Sequence, residues 1–130
     1  MEYVYPAIFK KEDDGGFFIH FPDLESCYTS GENLQDGIEM AEDVLCLMLY
    51  DMEIDGVDIP APSNIKEIKA RHDDLVTLIK CDTMEYRTFH NNKAVKKTLS
   101  IPGWLNKEAV AKGVNFSATL QEALKRQLGL

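Results

Sequence analysis

Val95-Lys96-Lys97-Thr98-Leu99-Ser100-Ile101-Pro102-Gly103-Trp104-Leu105 is the stretch whose reading decides the fold of the chain's end, because its hydrophobic period changes in the middle. Up to Ile101 the residues alternate: Val95, Leu99 and Ile101 share one face of a strand, and Lys96, Thr98 and Ser100 share the other. Pro102 then suits the first turn of a helix, where the missing amide costs nothing. That helix runs to about Lys112, with Trp104, Leu105 and Ala109 at packing positions. Gly113 closes it and Asn115 caps the next, along which Phe116, Leu120, Leu124 and Leu128 recur every four residues. The order is strand, helix, helix within residues 95–130.

A unit of this size lies below the roughly 40 residues at which a chain usually builds its own core, and a lone strand leaves its backbone groups unpaired. Pairing two copies of residues 95–101 across a two-fold axis makes an antiparallel ribbon. The four helices of two chains then cover its apolar face, with Val95, Leu99, Ile101, Trp104, Leu120 and Leu124 as the dimer core. The uncovered face presents Lys96, Thr98 and Ser100 twice. Such a ribbon fits the DNA major groove, where Lys donates to guanine and Thr or Ser both donate and accept. Lys97 alternates toward the other face, but its long stem can carry the charge outward to phosphate. The Phe116 and Ser117 amides, just past the Asn115 cap, form a natural anion site that positions the nucleic-acid backbone.

The formal charge of the 130-residue chain, -8, argues against nucleic acid only as an average. Residues 1–60 hold 2 Lys and 15 Asp or Glu, a net -13; residues 61–92 balance; residues 93–130 hold 7 basic and 2 acidic groups, a net +5. The end attracts phosphate and the front repels it, so two segments carry two functions. With 45% hydrophobic and 28% charged residues, and no apolar run near the ~20 needed to span a bilayer, the composition is that of a globular protein. Met1-Glu2-Tyr3-Val4-Tyr5-Pro6 has neither the basic nor the apolar part of a secretory signal, which makes the cytoplasm the expected location. Cys27, Cys46 and Cys81 are widely spaced and form no C-x-x-C pair, so they are expected to be small buried hydrophobes in a reducing compartment.

Working back toward the N-terminus, Tyr3–Lys11 is strand-like, with Pro6 calling for an edge position or an irregularity. Glu12-Asp13-Asp14-Gly15-Gly16 supplies a hairpin turn to Phe17-Phe18-Ile19-His20-Phe21, and Ser26–Thr29 reads as a short third strand. Asn33 caps a helix, with Asp36 placed as in a capping box. Leu34, Ile38, Ala41, Val44, Leu45, Met48, Leu49 and Met52 form its apolar stripe over about twenty residues. Asp55-Gly56 ends it; Ile65 and Ile68 are spaced for one turn of a short helix. Leu75–Cys81 is the strongest strand by composition, and its near-continuous apolar character predicts burial on both faces. The fold class is α+β: an antiparallel sheet packed with one long helix over residues 1–81, a linker at 82–94 with spacing for a short helix around Met84–Phe89, and the strand-helix-helix unit at 95–130. Asn91-Asn92 marks the boundary.

Lys96-Lys97-Thr98-Leu99-Ser100-Ile101-Pro102-Gly103-Trp104-Leu105, with Gly113-Val114-Asn115-Phe116-Ser117 and Leu120-Gln121-Glu122-Ala123-Leu124, resembles the ribbon-helix-helix family of bacterial repressors. That resemblance implies base contacts at Lys96, Thr98 and Ser100, and phosphate contacts at the Phe116 and Ser117 amides. The front resembles the N-terminal domain of HicB antitoxins, through Tyr5-Pro6-Ala7-Ile8-Phe9, Asp14-Gly15-Gly16-Phe17-Phe18-Ile19, Phe21-Pro22-Asp23-Leu24 and Gly31-Glu32-Asn33-Leu34-Gln35-Asp36. It implies a partial ribonuclease H-like fold and a type II toxin-antitoxin pair. The antitoxin binds and neutralises a small basic HicA-like, mRNA-degrading toxin and represses its own operon on operator DNA, as a homodimer or, through the front domain, a tetramer. No short motif assigns the toxin-contacting residues. The acidic front independently suits a partner that must itself hold RNA.

The ribonuclease H kinship raises catalysis, which needs clustered carboxylates around metal ions. The middle of the first strand carries no acid, Asp13-Asp14 falls in the turn, and His20, His72 and His90 are isolated. No catalytic residue, metal site or cofactor is therefore expected. The alternative function is a stand-alone ribbon-helix-helix repressor whose front domain senses a ligand or oligomerises.

Overall fold

The computed structural model describes residues 1–90 and 92–130; Asn91, half of the boundary pair, lies outside the described residues. The chain divides into two compact units, Met1–Lys93 and Ala94–Leu130.

In the first unit, β1 (Glu2–Lys11), β2 (Phe17–His20), β3 (Tyr28–Gly31) and β4 (Leu75–Asp82) form one antiparallel sheet in the order β3-β2-β1-β4. The β1–β2 hairpin turns as its residues dictate. Glu12 N donates to Gly16 O at 2.8 Å, Gly15 takes a positive φ of 89°, and the Asp14 side chain accepts from Gly16 N at 2.9 Å. The third strand begins two residues later than the sequence suggests. Ser26 occupies the left-handed region at φ 62°, and the Phe21–Cys27 bend holds it through Phe21 N to Cys27 O, so pairing starts only at Tyr28. Pro6 is tolerated inside β1 because pairing with β2 begins at Ile8, leaving Pro6 with β4 on one side only.

The strand expected to be covered on both faces is not. β4 is an edge strand, with Ile79 and Cys81 buried while Leu75 and Leu78 stay exposed. The fully covered strand is β1, whose Tyr5–Phe9 are buried in succession. Composition identified a strand of high β-propensity; it could not tell an edge from a centre, because that is decided by which strands pair beside it.

Helix α1 (Leu34–Asp55) lies across one face of the sheet, its Ala41, Leu45 and Leu49 joining Tyr5, Ala7, Phe9, Ile19, Ile79 and Cys81 in the core. Asn33 Oδ1 accepts from Asp36 N at 2.9 Å, as the cap requires; the Asp36 carboxylate reaches back to Glu32 N at 2.8 Å, one residue before the cap. The apolar stripe is shifted from expectation at its start. Gly37 is buried, whereas Leu34 and Ile38 are exposed. The cause is a close approach of backbones: a Cβ on Gly31 of β3 would stand 2.4 Å from Gly37 Cα, so the first turn of α1 sits directly on β3.

The short helix expected around Met84–Phe89 is present as α2 (Thr83–His90). Tyr86 meets Tyr50 of α1 with ring centroids 5.6 Å apart, and the Arg87 guanidinium lies 5.4 Å from the Tyr50 ring centre.

In the second unit, α3 (Gly103–Ala111) and α4 (Phe116–Leu128) stand close to their expected bounds. Gly113, at φ 67°, and Val114 N donating to Ala109 O at 3.0 Å close α3. Residues 95–101 form no ladder within one chain.

Candidate functional site

In the first unit, α1, β4 and α2 enclose an open groove of about 340 Å³. Its rim is acidic: Glu39, Glu42 and Asp43 come from α1, Asp82 from β4 and Glu85 from α2. The one lysine at the rim, Lys80, is already engaged by Glu2 at 3.3 Å. The lining is soft and aromatic, with Cys46, Cys81, Tyr86, Phe89 and His90, and Phe89 is 82% exposed. Carboxylates around an exposed aromatic side chain suit a cationic protein surface, with the ring as anchor and the acids as rim. Sequence reading missed this groove. Its signal was the 3–4 spacing of Tyr86, Phe89 and His90 on the short helix, but the acids that frame it are up to 46 positions apart in the chain.

Glu53 organises the same region. Its Oε1 accepts from Tyr3 OH and from Thr83 Oγ1, each at 2.8 Å, and its Oε2 meets Arg87 at 3.4 Å. Three elements, β1, α1 and α2, are thereby tied through one carboxylate. Burial, followed by the Glu53 bond and charge, pushes the Tyr3 hydroxyl up to about 12.

His20 lies on the sheet face away from α1, stacked on Phe18 with centroids 6.1 Å apart; its Nδ1 is buried with no hydrogen-bond partner among the described residues. Burial, then Lys10, lowers its pKa. His20, His72 and His90 are not brought together, and among the described residues no group of three or more His, Cys, Asp or Glu is placed to hold a metal ion. Among the described residues no helix is long and apolar enough to cross a membrane.

The second unit has a different character: none of residues 94–130 is buried. Val95 is 81% exposed and Trp104 69%, and Leu99, Ile101 and Leu124 are exposed too, while Leu120 is half-covered. These are the six residues assigned to a dimer core. Lys96, Lys97, Thr98 and Ser100 are all exposed. At the start of α4, Asn115 Oδ1 accepts from Ala118 N at 3.1 Å and the Asn115 carbonyl accepts from Thr119 N at 3.0 Å. Among the described residues, that cap leaves the Phe116 and Ser117 amides without a partner, in the positions named for phosphate.

Similarity to known proteins extends over nearly the whole chain. A chain of a toxin-antitoxin complex from Streptococcus pneumoniae is 28% identical, with a TM-score of 0.64 over 98% of this chain and 99% of that one. The Burkholderia pseudomallei antitoxin HicB shares the fold at 18% identity, with a TM-score of 0.56 over 94% of this chain and 96% of that one. Antitoxin HicB 1 of Photorhabdus laumondii is 31% identical over 61 residues, which make up 47% of this chain and 39% of that protein's length. The model of the HicB-like antitoxins of bacterial toxin-antitoxin systems matches residues 5–123, and the chain belongs to that family.

Proposed function

We propose that the chain neutralises a small, basic, HicA-like mRNA-degrading toxin with its first unit and represses its own operon with its second. The observation that carries this reading is the end-to-end likeness, at 28% identity, to a chain of a toxin-antitoxin complex. The groove between α1, β4 and α2 is where a cationic toxin surface fits, since its carboxylates and the exposed Phe89 offer charge and an apolar anchor together. Neutralisation on this reading is steric: a toxin surface that must hold RNA is covered by an acidic protein. No step of it requires catalysis by this chain.

Operator binding follows from the second unit. Two copies pair residues 95–101 as a ribbon, bury Val95, Leu99, Ile101, Trp104, Leu120 and Leu124 between them, and present Lys96, Thr98 and Ser100 to base edges. Lys97 and the amides of Phe116 and Ser117 hold phosphate. The exposure of five of these six residues in a single chain supports this arrangement.

The test is to look for a short basic protein encoded beside this gene and to co-express the two. Expected are copurification of the pair and relief of growth arrest. A protein that binds operator DNA yet neither copurifies nor relieves arrest leaves the stand-alone repressor as the better account.

A further inference from the structure

The three cysteines are scattered in sequence, but folding separates them into a pair and a single. Cys46 on α1 and Cys81 on β4 line the same groove, whereas Cys27 is buried under the Phe21–Leu24 bend, away from it. Cys81 is 2% exposed and Cys46 half-buried, so a small molecule entering the groove meets Cys46 first. We propose that Cys46 and Cys81 are a dithiol that hydroperoxides oxidise to an intramolecular disulfide, stapling α1 to β4.

The roles of the two sulfurs follow from their surroundings. Cys81, and after it the Asp82 backbone, hold the Cys46 thiol below its ordinary value against burial and the nearby Glu42 and Asp43. Cys81 is pushed up, first by Cys46 and then by burial, so it stays a protonated thiol. Cys46, the more accessible of the two in the groove, is therefore the sulfur that attacks. Its sulfur takes the terminal oxygen of the hydroperoxide as the O–O bond breaks, giving Cys46 sulfenic acid and, with one proton, an alcohol or water. The Cys81 sulfur then displaces that hydroxyl, the S–S bond forms, and the thiol proton leaves with it as water. The two electrons lost by the thiol pair are those gained by the peroxide. Closing the bond brings the two sulfurs to about 2.05 Å.

The disulfide lies in the lining of the groove assigned to the toxin, so any effect on toxin binding rests on that assignment; the dithiol does not. The experiment uses the full chain without a partner. Protein treated with hydrogen peroxide is quenched, denatured, alkylated with N-ethylmaleimide and weighed intact. Expected is a fall from three labels to one, with peptide mapping placing the link at Cys46–Cys81 and dithiothreitol restoring three. In Cys81→Ala, the expected product is a Cys46 sulfenic acid trapped by dimedone. Three labels surviving in the unmutated chain, or a link that involves Cys27 or a second molecule, overturns the proposal. Whichever of these results is found, the co-expression test stands apart, because it is scored on reduced protein.

Discussion

Gly31→Ala is expected to be among the most damaging single methyl additions in the first unit. The added Cβ would lie 2.4 Å from Gly37 Cα, 2.6 Å from Gly37 N and 3.2 Å from the Asp36 carbonyl carbon, all of them backbone atoms. Ordinary contact begins near 3.4 Å, so β3 and the first turn of α1 must part by nearly an ångström. That movement loosens the seat of Gly37 and Ala41 over Phe9 and Ile19. Overpacking costs about 1–3 kcal/mol, and with backbone on both sides the expected value is about 3 kcal/mol. For a unit of this size that is a fall in Tm of roughly 12–24 °C. Gly37→Ala is the control. Its Cβ would meet only side-chain ends, Ile19 Cδ1 and Phe9 Cε2, both at 3.1 Å, and a helix-interior alanine regains about 0.8–1 kcal/mol of propensity. It is expected to change stability by less than about 1 kcal/mol. The chain supplies its own probes: all five tyrosines lie in the first unit and the single tryptophan, Trp104, in the second. Urea unfolding followed by the near-ultraviolet tyrosine signal should move for Gly31→Ala while tryptophan fluorescence does not. A Gly31→Ala protein as stable as the parent, or one less damaged than Gly37→Ala, would refute the backbone contact as the reason for these glycines.

Glu53→Ala should destabilise the first unit by about 2 kcal/mol in urea, because Tyr3 loses its acceptor and Thr83 keeps only Met1 O to donate to. Arg87→Ala should cost much less, since its ion pair is partly exposed. Alkaline stability follows from Tyr3: its folded pKa, near 12, lies above the ordinary 10, so its contribution is complete below pH 10 and lost as pH rises to 12. Cys27, raised by burial to about 11, adds a loss of the same sign between pH 9 and 11. Melting curves in Cys27→Ser should remove the Cys27 part of the loss, and Glu53→Gln should shrink the Tyr3 part. Replacing Lys96, Thr98 and Ser100 together by alanine should leave the dimer intact in sedimentation and abolish preference for operator over random duplex in a mobility-shift assay. Unchanged preference would reject those contacts. Asn115→Ala should cost about 1 kcal/mol of α4 stability and weaken binding to all duplexes alike.

What the sequence could show was local, and what it could not was pairing. The Asn33 and Asn115 caps and the Gly15 turn are decided by residues within four positions, and the structure has each. The exposed edge of β4 and the Gly31–Gly37 contact depend on which segment lies beside which, a matter on which apolar composition is silent. The support of helix α2 was hidden for the same reason: its eight residues are short for a helix on their own, and it is Tyr50 and Glu53 on α1 that hold it. Cys46 and Cys81, 35 positions apart, became neighbours only when β4 met α1. In the second unit the two helices were legible, since their ends too are decided locally, whereas the strand expected at residues 95–101 has no partner within one chain. On the proposed function, the exposed apolar faces leave room for a second copy.

The two units therefore differ in how their folding depends on concentration. The first buries Tyr5, Phe9, Ile19, Leu45 and Leu49 within one chain, so its folding is expected not to depend on a second molecule. The second buries nothing alone, and if its core is completed by a copy, its stability rises with protomer concentration by mass action. On the proposed function, neutralisation then persists at dilutions where operator binding fails, because a monomer keeps its groove and loses its ribbon. A chain ending at Lys93 should accordingly neutralise toxin at every concentration and bind no operator. Full-length protein should show operator occupancy steeper than first order in total chain, and steeply weakened by salt. Simple hyperbolic binding down to concentrations where sedimentation shows only monomer would mean that one chain suffices for DNA, and the shared ribbon would have to be abandoned.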